Sequence, residues 1–332
     1  MKTAVLSDGG WGTALAQHLC GLGHDVTLWG PFPDYIETMR NAGENLRFLP
    51  GNKLNPALKL EADMANAVRN AELLVLASPS QYMRSTLERL RPLLCAERQT
   101  LVNVAKGIEV GTLKRMSELC TEVLGPCRYA ALSGPSHAEE VVRQVPTAVV
   151  AAATDRALAE LVQSVFMGDR FRVYTTEDVV SVELGGALKN VMAIAAGVID
   201  GMKLGDNTKA ALMTRGIAEM GRLGQALGGN ALTFSGLSGI GDLIVTCTSG
   251  HSRNRHVGEE LGRGKPIDVI LKEMGMVVAE GVKTAESAHE LAVRQGVETP
   301  IINQIYTVLY QGKDPRQAVA ELMNRKARTE FD

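Results

Sequence analysis

The chain has 332 residues, 45% of them hydrophobic and 22% charged, with a formal charge of -2. That length suits two domains, each able to bury its own core, and the balance excludes both disorder and a polyanion-seeking surface, so no nucleic acid partner is expected. No apolar run reads as long enough to cross a bilayer, and MKTAVLSDGG lacks a cleavable apolar core; a soluble, cytoplasmic protein without membrane insertion is expected.

The first half alternates short aliphatic runs with amphipathic stretches. Thr3–Leu6, Val26–Trp29, Leu73–Ala77, Thr100–Val104, Tyr129–Leu132, Ala148–Ala152 and Phe171–Tyr174 read as strands, and Trp11–Leu22, Tyr35–Asn41, Gln81–Leu90, Thr112–Leu124 and Arg156–Phe166 as helices. The alternation predicts a Rossmann-like, doubly wound parallel sheet over residues 1–178. Thr176-Glu177-Asp178 supplies an N-cap and dipole-complementing acids for a long helix. Beyond it, Val180–Val198, Thr208–Leu227, Arg253–Leu261, Ala285–Gln295 and Ile301–Tyr310 all carry helical periodicity. An all-α domain is expected over 179–332, packed on the first around a shared ligand cleft.

Between the first strand and helix lies Ser7-Asp8-Gly9-Gly10-Trp11-Gly12. Strand, glycine turn and helix in that order are the context of a dinucleotide-binding loop. Gly9 would let backbone approach a pyrophosphate, Gly12 would let helix pack on strand, and the helix N-terminus supplies N–H groups. Ser7 stands where such loops have their first glycine, at little cost if its φ is negative. The expectation is a loop altered in form but working, beside the plainer reading of an ordinary strand-to-helix turn. At the end of the second strand, where an acid meets a ribose 2′-hydroxyl or an arginine a 2′-phosphate, the chain offers Gly30, Pro31 and Phe32, with Asp34 beyond. NAD and NADP both stay open.

The five cysteines, Cys20, Cys95, Cys120, Cys127 and Cys247, are odd in number and lack CxxC spacing, which argues against a disulfide framework or a thiolate metal site. None of the six histidines pairs with cysteine or carboxylate at ligand spacing, so no metal is expected. His137 reads as opening a helix.

Further clusters are NVAKG around Lys106, SGPSHAEEV from Ser133, ELGGALKN ending in Lys189-Asn190, GDNTKAA, GIGDLIVTC around Asp242, and SRNR from Ser252. Lys106 follows a strand and should emerge at the carboxyl edge of the sheet. Lys189 lies in an apolar, small-residue stretch, and a buried lysine needs a reason. Asp242 and Ser252 each also read as helix caps. Taken in order with GGWGTALA, these motifs resemble the NAD(P)-dependent glycerol-3-phosphate dehydrogenases of bacteria over essentially the whole chain.

That resemblance implies reversible reduction of dihydroxyacetone phosphate to sn-glycerol 3-phosphate for glycerophospholipid synthesis, with NAD or NADP as cofactor, in a homodimer. It assigns Lys189 as acid/base and Lys106 to both substrate and cofactor, and places Asp242 where it holds hydroxyl groups and orients the lysines. It assigns Gly134, Ser136, Thr246, Ser252, Arg253 and Asn254 to the substrate, Arg253 lying also at the cofactor. The cofactor side takes Ser7, Gly9, Gly10, Trp11, Gly12, Ala138, Val278 and Glu280; Trp11 reads equally as core packing, and VVAEG carries an alanine that VVEG versions lack. Two alternatives remain: a related two-domain β-hydroxyacid dehydrogenase, and a dinucleotide-binding sensor without turnover.

Overall fold

A computed structural model of the chain describes residues 1–275, 279–327 and 329–330. Eight strands form one sheet: β1 (Lys2–Leu6), β2 (Asp25–Trp29), β3 (Lys59–Glu61), β4 (Leu73–Leu76), β5 (Thr100–Asn103), β6 (Arg128–Ser133), β7 (Thr147–Ala152) and β8 (Phe171–Thr176). Their spatial order is β3-β2-β1-β4-β5-β6-β7-β8. Strands such as LLVL in β4 and TLVN in β5 are buried at every position, as a sheet covered on both faces requires.

Two details depart from the apolar pattern. The edge strand β3, KLE, is half-exposed and carries no run that announces it. The sheet is parallel from β3 through β6, but β7 pairs antiparallel with β6, and β8 runs with β7; strand direction follows from the connections and leaves no mark on composition.

The expected helices form close to their expected bounds, with two clear shifts. The helix read from Ala285 already starts at Glu280. The helix read from Thr112 starts at Met116, because Leu113 turns the chain at φ 61°. Short helices Asp242–Thr248, Ile267–Met274 and Pro315–Met323 complete the helical part.

Its centre is the helix Val179–Gly201, capped by the Asp178 carboxylate, which accepts from the Ser181 N–H at 3.0 Å. With 23 residues and a mean hydropathy of 1.5 it is long and apolar enough to cross a bilayer, so the expectation that no such run exists does not hold. Here the apolar surface on every side of the helix meets other protein, which is why it lacks a polar face. The helix Arg253–Gly262 packs on it so closely that a Cβ on Gly258 would lie 1.9 Å from the Ile194 carbonyl oxygen. Glu183, near the start of the long helix, accepts from Ser117 N–H (2.8 Å), Ser117 hydroxyl (2.7 Å), Tyr129 hydroxyl (2.5 Å) and Arg115 (2.8 Å). These bonds fix the rotation of the helix that carries Lys189 against the sheet.

A second buried carboxylate, Glu219, accepts from the N–H groups of Ile301 (2.8 Å) and Ile302 (3.3 Å) in the first turn of the helix Pro300–Tyr310. Burial outweighs those bonds and pushes its carboxyl up to about 7. A carboxyl raised on folding keeps the folded state bound to more protons than the unfolded chain. Its contribution is therefore full below pH 4.5 and is lost as pH rises through 7, by about 3 kcal/mol. Urea unfolding of Glu219→Gln should lack that decline between pH 4.5 and 7; an unchanged pH profile would show that Glu219 is ionised in the fold.

Candidate active site

The strand order reverses at β1, which has β2 on one side and β4 on the other. Ligands of open α/β sheets bind in the crevice beyond the carboxyl ends at such a switch point. Beyond the β1 end, Ser7 donates its N–H to the Trp29 carbonyl at 3.0 Å, and its hydroxyl accepts from the Gly9 N–H at 3.3 Å. The helix Gly10–Gly21 starts at once, with Gly9 as its N-cap, and a Cβ on Gly12 would lie 2.2 Å from the Ser7 carbonyl oxygen. Gly12 thus lets the helix sit low over the strand end, while Gly10 leaves room for the Phe48 carbonyl oxygen, 2.6 Å from where its Cβ would lie.

The negative φ that would cost serine little at position 7 is not what the chain adopts. Ser7 has φ 143°, a region open to glycine and costly by about 1–3 kcal/mol for other residues; Ser7 keeps the glycine geometry of the loop and carries the strain. Ser7→Gly should therefore raise stability by about 1 kcal/mol after the greater chain entropy of glycine is subtracted. Urea denaturation measures it, and a lowered midpoint would mean that the hydroxyl bond to Gly9 outweighs the strain.

A cleft of about 230 Å³ opens from this loop toward the helical part. Ser7, Gly9, Gly10, Trp11, Ser136 and Ala138 line its sheet side. Lys106, Lys189, Thr246, Ser252, Arg253, Asn254 and Glu280 line the rest. Gly12 and Gly134 do not line it, and Val278 lies outside the described residues.

At the base of the cleft Asp242, 1% exposed, sits between two lysines. Lys106 Nζ donates to Asp242 Oδ2 at 2.7 Å and to the Gly134 carbonyl at 2.9 Å. Lys189 Nζ lies 3.1 Å from Asp242 Oδ1 and donates to the Thr246 hydroxyl at 2.8 Å. Thr246 in turn donates to the Asp242 carbonyl at 2.6 Å. Burial alone raises the Asp242 carboxyl, but the two ammonium groups outweigh it and hold it below the usual range. Burial pushes the Lys106 amine down, Asp242 opposes that, and the charge of Lys189 adds to it. An ammonium has three N–H bonds. Two on each lysine are engaged within this cluster, so each keeps one for an oxygen that enters the cleft.

Around this centre runs a buried amide relay in which Asn254, expected at the substrate, is bonded to Asn190, which the motifs carried but gave no role. Asn190 donates to the Lys106 carbonyl (3.0 Å) and accepts from Asn254 (3.0 Å), which accepts from the Gly281 N–H (2.9 Å). The sequence signal was a polar side chain in the same apolar run as Lys189. Next to Gly281, Glu280 accepts from the Ser80 N–H at 3.0 Å, and burial pushes its carboxyl up. Ser252 caps the helix from Arg253 by accepting from Arg255 N–H at 3.2 Å, while Arg253 stands exposed at the cleft mouth. The capping reading and the site reading of Ser252 thus coexist.

His137 is the N-cap of the short helix Ala138–Val141, and also lines the cleft, its ring 5.9 Å from that of His251. Burial, then the charges of Lys189 and Lys106, pull its imidazole below the usual range.

A dinucleotide fits these residues. Besides the glycine loop and helix start, two side chains that line the cleft carry buried polar atoms without a hydrogen-bond partner, Trp11 Nε1 and His137 Nε2. Buried polar atoms are ordinarily paired, and each orphan asks for one.

A doubly wound sheet with a glycine loop at its switch point, joined to a helical part that delivers a buried lysine, defines a nicotinamide-dinucleotide oxidoreductase of two-part build. Two family models match the chain: the NAD-dependent glycerol-3-phosphate dehydrogenase N-terminus over residues 2–159, and its C-terminus over 178–320. The chain belongs to the NAD-dependent glycerol-3-phosphate dehydrogenase family. It is 54% identical over 322 residues to a glycerol-3-phosphate dehydrogenase [NAD(P)+] of Moorella thermoacetica, covering 97% of this chain and 95% of the relative. A relative of the same name from Citrifermentans bemidjiense is 52% identical, with 99% and 98% covered. The crystal structure of glycerol-3-phosphate dehydrogenase from Coxiella burnetii superposes with a TM-score of 0.94 at 37% identity, over 98% of this chain and 99% of that one.

Proposed function

We propose that the protein reversibly reduces dihydroxyacetone phosphate to sn-glycerol 3-phosphate with NAD(H) or NADP(H). The observation that carries this reading is the Lys106–Asp242–Lys189 cluster at the base of the switch-point cleft, in a chain about half identical to enzymes of that name.

The bound nicotinamide dinucleotide supplies or accepts the hydride. Residues 1–178 hold it, with Ser7, Gly9, Gly10, Trp11 and Gly12 forming the pyrophosphate loop, and Lys106, Ala138, Arg253 and Glu280 completing its side of the site. Residues 179–332 supply the substrate side. Lys189 directs its remaining N–H at the carbonyl oxygen, stabilises negative charge as it develops there and passes a proton to it. Lys106 holds the neighbouring hydroxyl together with Asp242. The first-turn N–H groups around Ser252 and Asn254, with the Arg253 guanidinium at the mouth, suit a phosphate dianion. Ser136, Gly134 and Thr246 complete the substrate pocket. The product would serve as the backbone of glycerophospholipids, made in the cytoplasm by a homodimer; family resemblance supports these last points.

The test is oxidation of NADH and NADPH by the purified protein with dihydroxyacetone phosphate, set against dihydroxyacetone and a β-keto acid. Turnover that requires the phosphorylated triose supports the reading. Equal or faster turnover of the keto acid would favour a β-hydroxyacid dehydrogenase, and binding without turnover a sensor.

A further inference from the structure

The end of β2, where an acid or an arginine ordinarily reads the adenosine ribose, carries neither. Gly30 and Pro31 follow Trp29, and Asp34 is exposed on the first turn of the helix Pro33–Ala42. The space is not vacant of charge, however. A Cβ on Gly30 would lie 2.7 Å from Oδ2 of Asp8 and 2.8 Å from its Cγ. The carboxylate of the second loop residue therefore lies directly against the end of β2.

Asp8 is held there. Its carbonyl accepts from Asn45 at 2.7 Å and from the Thr13 hydroxyl at 3.3 Å, and Ser7 before it is bonded to Trp29. The residue is 5% exposed, and Oδ2 is buried without a hydrogen-bond partner. A buried carboxylate oxygen without a donor is costly, and it is satisfied when a ligand brings one. Burial raises the Asp8 carboxyl; a bond from its own backbone N–H and then the charge of Arg47 oppose that. Arg47 is the nearby cation that a 2′-phosphate would seek; its guanidinium lies 4.2 Å from the centre of the Tyr35 ring.

We propose that Asp8, from inside the glycine loop, takes over the missing role at the end of β2: its Oδ2 accepts a hydrogen bond from the free ribose 2′-hydroxyl of the cofactor and repels a 2′-phosphate. The protein therefore prefers NAD(H) to NADP(H). Gly30 is the companion of this arrangement, since any side chain there would displace the carboxylate. The inference rests on dinucleotide binding at this loop but not on the identity of the substrate.

The experiment is direct titration of NADH and NADPH into the purified protein without substrate, by calorimetry, for the natural chain and for Asp8→Asn and Arg47→Gln. The natural chain should bind NADH at least 10-fold more tightly. Asp8→Asn, which keeps the shape and removes the charge, should shrink that ratio at least 10-fold, chiefly through tighter NADPH binding. Arg47→Gln should leave the preference for NADH in place. Equal or tighter binding of NADPH by the natural chain overturns the proposal, whether or not a variant folds. So does a ratio unmoved by Asp8→Asn at an unchanged melting temperature. Binding of neither cofactor would overturn the dinucleotide reading along with it, whereas tight binding of both without discrimination would remove only the role of Asp8.

Discussion

Lys189→Ala should lower kcat for dihydroxyacetone phosphate reduction by about 10²–10⁴-fold, the range associated with a positioned proton donor, while NADH binding stays within a few-fold. Lys189 is 7% exposed and comes from a helix buried along nearly its whole length, so solvent has no easy route to replace the lost ammonium. Its fold should survive the change better than the chemistry does. Asp242 retains Lys106 at 2.7 Å as countercharge, and Thr246 retains its bond to the Asp242 carbonyl. Lys189→Arg is the informative companion. A guanidinium keeps the positive charge but does not release a proton near neutral pH, so it should restore stability and not rate. If Lys189→Ala retained kcat within about three-fold, the proton would have to come from elsewhere, and Lys106, whose amine burial already pulls down, would take its place.

The parts legible from residue pattern are those in which one segment carries its own signal. Aliphatic runs marked seven of the eight strands, and a lysine inside ELGGALKN marked the buried helix that reaches the cleft, because a charge in a stretch otherwise suited to burial has few structural excuses. Edge strand β3 had no such run. The reversal at β7 depends on which way a connection turns. Ser7 was visible as a departure, but its φ was not, because backbone strain is a property of the strand end and helix start that meet there. Asp8 carries no signal of its own in the sequence, and only the fold sets it against Gly30, 22 residues further on. The Lys106–Asp242 pair spans 136 positions, beyond the reach of any local pattern; family resemblance, not spacing, brought those residues together.

The same separation makes Asp242→Asn the most damaging change expected for the fold. Lys106 and Lys189 both converge on this one carboxylate, and Asn leaves its shape while removing its charge. Two ammonium groups would then remain buried side by side with only neutral acceptors, the new amide oxygen, the Gly134 carbonyl and the Thr246 hydroxyl. Loss of one partner from a buried ion cluster costs about 3–5 kcal/mol, mostly the desolvation of the charge left behind. The pH dependence gives the cause away. Lys106 is already held below its usual range in the natural chain, and without Asp242 it must fall further. A lysine depressed on folding leaves the unfolded chain with more bound protons, so stability rises as pH approaches 10.5 from below. The deficit of Asp242→Asn should therefore be largest near neutral pH and shrink by pH 9.5, as one of the crowded lysines sheds its proton in the folded state. Urea unfolding at the two pH values measures this difference. A deficit of the same size at both would mean that the variant suffers from lost packing rather than uncompensated charge, and a variant as stable as the natural chain would mean that the lysines find water or another acceptor within the cleft.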